Sequence, residues 1–198
     1  MTTYTDEQLM VSLVEDGSLE SFEELLNRYE KQLLLYIIRL ITDYHRAQDL
    51  CQETFHLIYK NRTSFNAHLR FSTWAYRIAT NLCLNELKST THTAEILLED
   101  VKPTKRSSHP SDSNPISNLS PEEKLIKKDV EEKIRGLIKS LPENLRSIFV
   151  LSEYQGLSNR EIANILEIPI GTVKSRLHQS FKKLFKLMEK RGLINEVH

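Results

Sequence analysis

The sequence predicts an all-α protein: two small helical domains joined by a flexible linker, the C-terminal one containing a helix-turn-helix. Three observations carry this. Apolar residues recur at helical spacing through most of the 198 residues, strand-like alternation is absent, and there are only five glycines. Thr5 and Gln8 have capping-box spacing and open a short helix that Gly17 closes. Ser18 caps the next helix, which runs to about Ile41 with an inward stripe of Phe22, Leu25, Leu26, Tyr29, Leu33, Tyr36, Ile37 and Leu40. Asp43 caps a third helix that reaches about Lys60. Its apolar residues are Leu50, Phe55, Leu57 and Ile58, and its polar face carries Asp49, Gln52, Glu53, His56 and Lys60. Asp49 and Glu53 meet at i,i+4, which is mildly unfavourable for the helix alone. That face is either simply solvated or an acidic docking surface for a basic partner.

Arg62 to Ser72 reads as a loop containing Phe65 and Phe71. Ser72 is then placed to cap a helix whose core side is Ala75, Ile78, Ala79, Leu82 and Leu87. Trp74, Arg77, Asn81, Asn85 and Lys88 share another face of it. A ring that stacks on bases, amides that bond base edges and cations that meet phosphate suit single-stranded nucleic acid. The same tryptophan could instead complete the core, with the asparagines merely solvated.

From Ser89 to Ser120 the composition shifts: Ser, Thr, Pro and Asn make up 16 of 32 residues, so the stretch reads as a linker. The expected division is residues 1–88, a linker 89–120, and residues 121–198. Ser120, Pro121 and Glu123 signal a helix start. The helix that follows presents Leu125, Val130, Ile134, Leu137, Ile138 and Leu141, and a further helix from Pro142 stops at Gly156. Leu157 to Leu184 reads as two helices joined by a tight turn. Ser158 and Glu161 form a capping box, and Pro169 ends the first helix near Leu166. Thr172 is the expected N-cap of the second, whose inward stripe is Val173, Leu177, Phe181 and Leu184. Thr172, Ser175, His178, Gln179 and Lys182 face outward. Spacing alone leaves two readings open, a major-groove DNA reader and an ordinary helical hairpin.

Formal net charge is +0, but its distribution is uneven. Residues 168–191 carry seven basic groups against Glu189 alone, and residues 1–88 are mildly acidic. Cys51 and Cys83 stand far apart without metal-site spacing, so both are read as reduced, partly buried thiols, and no metal or cofactor is expected. No signal peptide and no run near the ~20 apolar residues of a membrane span is present, which predicts a cytoplasmic protein. A phosphate-cradling glycine loop and a nucleophile–base motif are both missing, so an enzyme is not expected.

Two stretches carry a resemblance. LPENLRSIFVLSEYQGLSNREIANILEIPIGTVKSRLHQSFKKL resembles the promoter-reading C-terminal domain of the extracytoplasmic-function (ECF) group of sigma-70 family sigma factors. DLCQETFHLIYKNRTSF followed by FSTWAYRIATNLCLNELK resembles the N-terminal domain of the same group. The resemblance implies an alternative sigma factor that joins core RNA polymerase and directs it to promoters. It implies that Asp49, Gln52 and Glu53 contact the β′ clamp helices, with the β flap as a further polymerase contact. It places the −10 element on Asn66, Trp74, Arg77, Asn81, Asn85 and Lys88, with a flipped base held by the loop from about Asn66 to Ser72. The −35 duplex would lie on Arg160, Thr172, Lys174, Ser175, Arg176, His178, Gln179 and Lys182. Ser175, His178 and Gln179 would face bases, and Lys174 and Arg176 phosphates, with Arg146 a further candidate for the DNA backbone. An anti-sigma factor is an expected partner. The family often has glycine where Glu167 stands, so a positive φ there is expected to strain the turn by about 1 kcal/mol. A stand-alone helix–turn–helix regulator is the alternative reading.

Overall fold

The computed structural model describes residues 4–41, 43–97 and 132–193, and among these the only regular elements are helices. The first half holds α1 (Asp6–Glu15), α2 (Leu19–Leu40), α3 (Tyr44–Lys60), a 3-10 turn (Arg62–Ser64) and α4 (Phe71–Leu97). The second holds α5 (132–139), α6 (Glu143–Glu153), α7 (Asn159–Leu166) and α8 (Ile170–Lys190). Local chemistry sets most of the boundaries. Thr5 and Gln8 form the predicted capping box, Ser18 accepts from the Ser21 N–H, and Asp43 accepts from the Arg46 N–H. Gly17 and Gly156 both take positive φ, at 68° and 63°, which lets the chain turn after α1 and α6.

Three predicted helix limits shift. α4 starts at Phe71 rather than after a Ser72 cap. Its Phe71 N–H donates instead to Glu7 Oε1 of α1 at 3.0 Å, a cap supplied from 64 residues away. α4 also runs to Leu97, past the predicted boundary at Lys88; the first proline after Lys88 is Pro103, so nothing breaks the helix there. α8 begins at Ile170 with Pro169 at its N-cap, so Thr172 lies inside the first turn. Proline's fixed φ suits a helix start and leaves no cap for Thr172 to supply. The helix start expected at Ser120–Glu123 and the apolar residues Leu125 and Val130 lie outside the described residues.

α4 is packed on one side by α2 and α3. Phe71, Ala75, Tyr76, Ala79 and Cys83 are buried there against Leu33, Tyr36 and Ile37 of α2 and Leu50 and Ile58 of α3. The buried face is centred on Tyr76 and Ala79, leaving Ile78 and Leu82 half-buried, because the inward stripe includes Thr73, Tyr76 and Thr80, which hydropathy overlooks. Tyr36 and Thr80 solve their burial together. Thr80 Oγ1 donates to the Tyr76 carbonyl at 2.6 Å, so it accepts the Tyr36 hydroxyl at 2.7 Å. The Tyr36 and Tyr76 rings meet edge-on at 5.2 Å. Arg46 of α3 forks onto Glu86 of α4 at 2.8 and 2.9 Å, fixing the far end of the pair.

The second half encloses its own core of Leu137, Leu141, Ile148, Leu151, Ile162, Ile165 and Val173. Ile134 and Phe181, both expected inward, are 39% and 37% exposed. Phe181 rests its edge on Phe149 at 5.4 Å, while Ser180 takes the buried position beside it. The two halves touch. Arg146 of α6 donates to the Leu40 carbonyl at 2.8 Å and to the Lys139 and Leu141 carbonyls, which binds the end of α2 to the start of the second half. Burial lowers its pKa from the ordinary arginine value. These bonds occupy the guanidinium that was expected to meet the DNA backbone, so Arg146 is a structural tie between the halves.

Removing the Tyr36 hydroxyl (Tyr36→Phe) is expected to destabilise the protein by about 1 kcal/mol in urea unfolding, the net worth of one hydrogen bond. Thr80→Val, which strands the buried Tyr36 hydroxyl, is expected to lower stability by more, about 1–3 kcal/mol. Equal or smaller loss for Thr80→Val would show that the pair does not hold α4.

Candidate nucleic-acid interface

The face of α4 opposite Tyr36 borders a cleft of about 360 Å³. Asn61 and Ser64 from the 3-10 turn, Phe65, Asn66 and Leu69 from the loop, and Trp74, Arg77, Ile78 and Asn81 from α4 line it. Its floor is aromatic. Trp74 packs on Phe65 at 5.3 Å and on Phe71 at 6.4 Å, and Phe71 in turn meets Tyr29 at 4.9 Å. Trp74 packs against the core cluster and also borders the cleft. The loop is shaped by Asn66, whose Oδ1 accepts the His68 N–H at 3.0 Å and whose carbonyl accepts the Leu69 N–H at 2.9 Å. Glu7 then anchors the loop's exit through Phe71.

Of the six residues expected on this face, Asn66, Trp74, Arg77 and Asn81 meet at the cleft. Asn85 and Lys88 do not line it. Both are exposed and extend the stripe along α4, Lys88 lying about 21 Å from Trp74 at 1.5 Å per residue. Sequence reasoning missed Asn61, Ser64 and Phe65 as cleft walls, because they come from a turn without periodicity, whereas Leu69 falls within the Asn66–Ser72 loop that the resemblance implied. The cleft thus has aromatic rings on one side, with the amides of Asn61, Asn66 and Asn81 among its lining.

On α8, Lys174, Ser175, His178, Gln179 and Lys182 are exposed, while Thr172 and Arg176 are half-buried. The Ser175 hydroxyl donates to the Thr172 carbonyl at 3.1 Å, so it presents acceptor lone pairs outward. α7 precedes this helix with the predicted capping box: Ser158 and Glu161 exchange both bonds, and Arg160 stands exposed in the first turn. The Ser158 hydroxyl and N–H, with Arg70 beside them, hold the Glu161 carboxyl below its ordinary value. Glu167 ends α7 at φ 54°, as expected for a residue filling a glycine position. Val173 and Leu184 bury the other side of α8, so the outward face is fixed by packing.

On α3, Asp49, Gln52 and Glu53 are all exposed on one side. Arg46 reaches Asp49 only at 3.9 Å and spends its fork on Glu86. Cys51 and Cys83 are more deeply enclosed than expected, and burial pushes their thiols up to about 11 and about 12. Among the described residues no group of three or more His, Cys, Asp or Glu could hold a metal, and no helix is long and apolar enough to cross a membrane.

Comparisons with known proteins agree with this layout. Residues 25–93 match the family Sigma-70 region 2, and residues 131–184 match Sigma-70, region 4. The chain is 30% identical over 192 residues to the RNA polymerase sigma-H factor of Pseudomonas aeruginosa, covering 96% of this chain and 97% of that protein. It is 31% identical to the ECF RNA polymerase sigma factor SigW of Bacillus subtilis, covering 89% and 93%. Its fold is similar to that of the sigma factor RpoE from Bartonella quintana, solved in complex with the anti-sigma factor NepR (TM-score 0.69, 19% identity, 86% of this chain and 98% of that one). It is also similar to CnrH, solved with the cytosolic domain of CnrY (TM-score 0.66, 17% identity, 93% and 97%).

Arg46 holds the Glu86 carboxyl below its ordinary value of 4.5, so the pair stabilises the fold above that pH and is lost as pH falls through the lowered value. Glu86→Gln is therefore expected to lower the melting temperature at pH 7, by the equivalent of at most about 1 kcal/mol for so exposed a pair, and to match wild type near pH 3. A difference that persists at pH 3 would assign Glu86 another role. The two matched regions in this order, the aromatic cleft on α4 and the polar outer face of α8 together identify the chain as a member of the ECF group of sigma-70 family RNA polymerase sigma factors.

Proposed function

We propose that this chain works as an alternative sigma factor: it binds core RNA polymerase and directs transcription initiation by reading −10 and −35 elements. The observation that carries the reading is the cleft between Trp74, Arg77, Asn81 and the 61–69 turn, on the same chain as an outward-facing helix–turn–helix. The protein is read as cytoplasmic and non-enzymatic, acting by binding alone. Residues 1–88 form the unit that meets polymerase and the −10 element, and residues 121–198 the unit that meets the −35 element.

The division of labour follows from the chemistry of each face. Asp49, Gln52 and Glu53 offer carboxylates and an amide to the β′ clamp helices, and the second half meets the β flap. The cleft takes a base flipped from the −10 element; Trp74 and the loop wall its plane, and Asn66 and Asn81 bond its edges. Extruding a base costs a few kcal/mol of unstacking, so a fitted pocket gives selectivity as well as strand capture. Asn85 and Lys88 follow the strand beyond the cleft. Ser175, His178 and Gln179 meet base edges of the −35 duplex, and Arg160, Thr172, Lys174, Arg176 and Lys182 meet its backbone. Backbone contacts add affinity and salt dependence without sequence information. One fold neighbour, the sigma factor RpoE, was solved in complex with the anti-sigma factor NepR, which supports an anti-sigma factor as a regulator of this chain as well.

Run-off transcription with core polymerase tests this directly, on promoters found by mapping start sites after overexpression. Transcripts that need both this chain and core polymerase are expected. Tight, specific duplex binding by the free chain, with no effect on core polymerase, would replace this reading with a stand-alone regulator. Asp49→Ala with Glu53→Ala is expected to weaken core binding roughly tenfold or more, in the range of lost interfacial charge contacts. Its thermal stability should stay within about 0.5 kcal/mol of wild type, as for other exposed positions. Unchanged core affinity would move the polymerase contact elsewhere.

A further inference from the structure

The loop that borders the cleft is a wall between two cavities. Leu69 lines both the cleft and a second cavity of about 390 Å³, whose other walls include Asp6, Glu7 and Tyr29. Packing does not fix this wall: residues 66–70 are all exposed, Leu69 by 48%. Within the first half, the hydrogen bonds that hold it lie at its two ends. Asn66 closes a turn onto the His68 and Leu69 N–H groups. At the other end the Phe71 N–H donates to Glu7 Oε1 at 3.0 Å. That N–H is among the first four of α4, which have no acceptor within the helix, and a carboxylate there also meets the positive end of the helix dipole. The helix that carries Glu7 is itself firmly held. Leu9, Met10 and Leu13 of α1 are buried, and Asp6 accepts the Tyr29 hydroxyl at 2.5 Å and Arg28 Nη1 at 2.8 Å. One bond thus passes the position of a fixed helix to a loop that packing leaves loose.

We infer that Glu7 is a positioning residue for base capture: without meeting the strand, it sets through Phe71 the distance of the 66–70 wall from Trp74 and Asn81, and so the base that the cleft accepts. The inference rests on the −10 assignment above and adds to it a residue from outside the cleft. Hydrogen bonds to a base edge hold over only about 0.5 Å, from roughly 2.7 to 3.2 Å between donor and acceptor. Asn81 stands on α4, whose place is set by its buried face, and Asn66 stands on the loop. The two amides read one base together only while the loop keeps its distance from α4 within that margin. Stacking on Trp74 has no such requirement, because every base presents a flat face. Loss of the Glu7 anchor therefore costs discrimination between bases before it costs binding.

The test uses the full chain bound to core polymerase and fluorescein-labelled single-stranded oligonucleotides, read by anisotropy. They carry the non-template strand of a mapped −10 element, with each base of the element replaced in turn. The position whose replacement weakens wild-type binding most is the captured base, and the ratio of the two affinities there measures discrimination. Glu7→Ala is expected to lower that ratio roughly three- to tenfold, the range of one hydrogen bond's net worth. Glu7→Gln keeps an acceptor oxygen for the Phe71 N–H and should hold the ratio within about twofold of wild type. Glu7→Asp keeps the charge but shortens the reach by one methylene, so its ratio should fall with that of Glu7→Ala; it decides the matter if the alanine variant folds poorly. Glu15→Ala removes the same charge from the exposed end of α1 and should leave the ratio unchanged. A purely structural Glu7 would lower the bound fraction for matched and replaced strands alike, so a wild-type ratio in the alanine and aspartate variants overturns the inference. A Glu7→Gln ratio as low as that of Glu7→Ala overturns it as well. Wild-type holoenzyme that is indifferent to every replacement overturns the −10 assignment itself, a failure that is read before any Glu7 variant is made.

Discussion

Burial of one face of α4 is the constraint on which the rest of this structure depends. Tyr36, Thr80 and Tyr76 form a satisfied polar chain in an otherwise apolar interface. Such a chain fixes register more sharply than apolar packing, because a shift would strand a buried hydroxyl. With that face set, Trp74, Arg77 and Asn81 must point the other way. Glu7 then fixes where the helix begins, and hence how the 65–70 loop enters it. α1 therefore shapes the cleft without lining it.

The second half uses the same logic on a smaller core. Val173 and Leu184 bury one side of α8, and the cations Lys174 and Lys182 with the bases' prospective partners His178 and Gln179 are left outside. On the proposed reading, charge follows function along the chain: carboxylates gather on the α3 face assigned to a protein surface, and cations on the α8 face assigned to phosphate. The ties between the halves reuse those charges. Arg146 is committed to carbonyls in a half-buried site, whereas Arg70 and Arg77 meet the carboxylates of the half-buried Glu161 and the exposed Glu167.

Features decided within a few residues were legible in the sequence. The caps at Thr5, Ser18, Asp43 and Ser158, the turns at Gly17 and Gly156, and the positive φ of Glu167 all depend on local backbone chemistry. The outward face of α8 was legible because its periodicity is strong. The start of α4 was not, since its cap comes from Glu7, and no local rule registers a partner 64 residues away. Burial of Thr80 and Ser180 also escaped, because hydropathy ranks them as surface residues while a backbone carbonyl satisfies each hydroxyl. The residues of the cleft were half legible: those on α4 through their spacing, those of the turn not at all. The partners of Arg70 and Arg77 belong to tertiary packing between halves, which periodicity cannot reach.

The central claim is that the two halves do different work on one promoter, α4 opening the strand and α8 holding the duplex. Permanganate reactivity of unpaired thymines, alongside a cleavage footprint of the −35 region, separates the two on a mapped promoter with core polymerase. The account predicts that Asn81→Ala loses thymine reactivity near −10 and keeps the −35 footprint, while Gln179→Ala loses the −35 footprint and recovers thymine reactivity at high protein concentration. Wild-type melting by Asn81→Ala, or loss of the −35 footprint in that variant with melting intact, would contradict it.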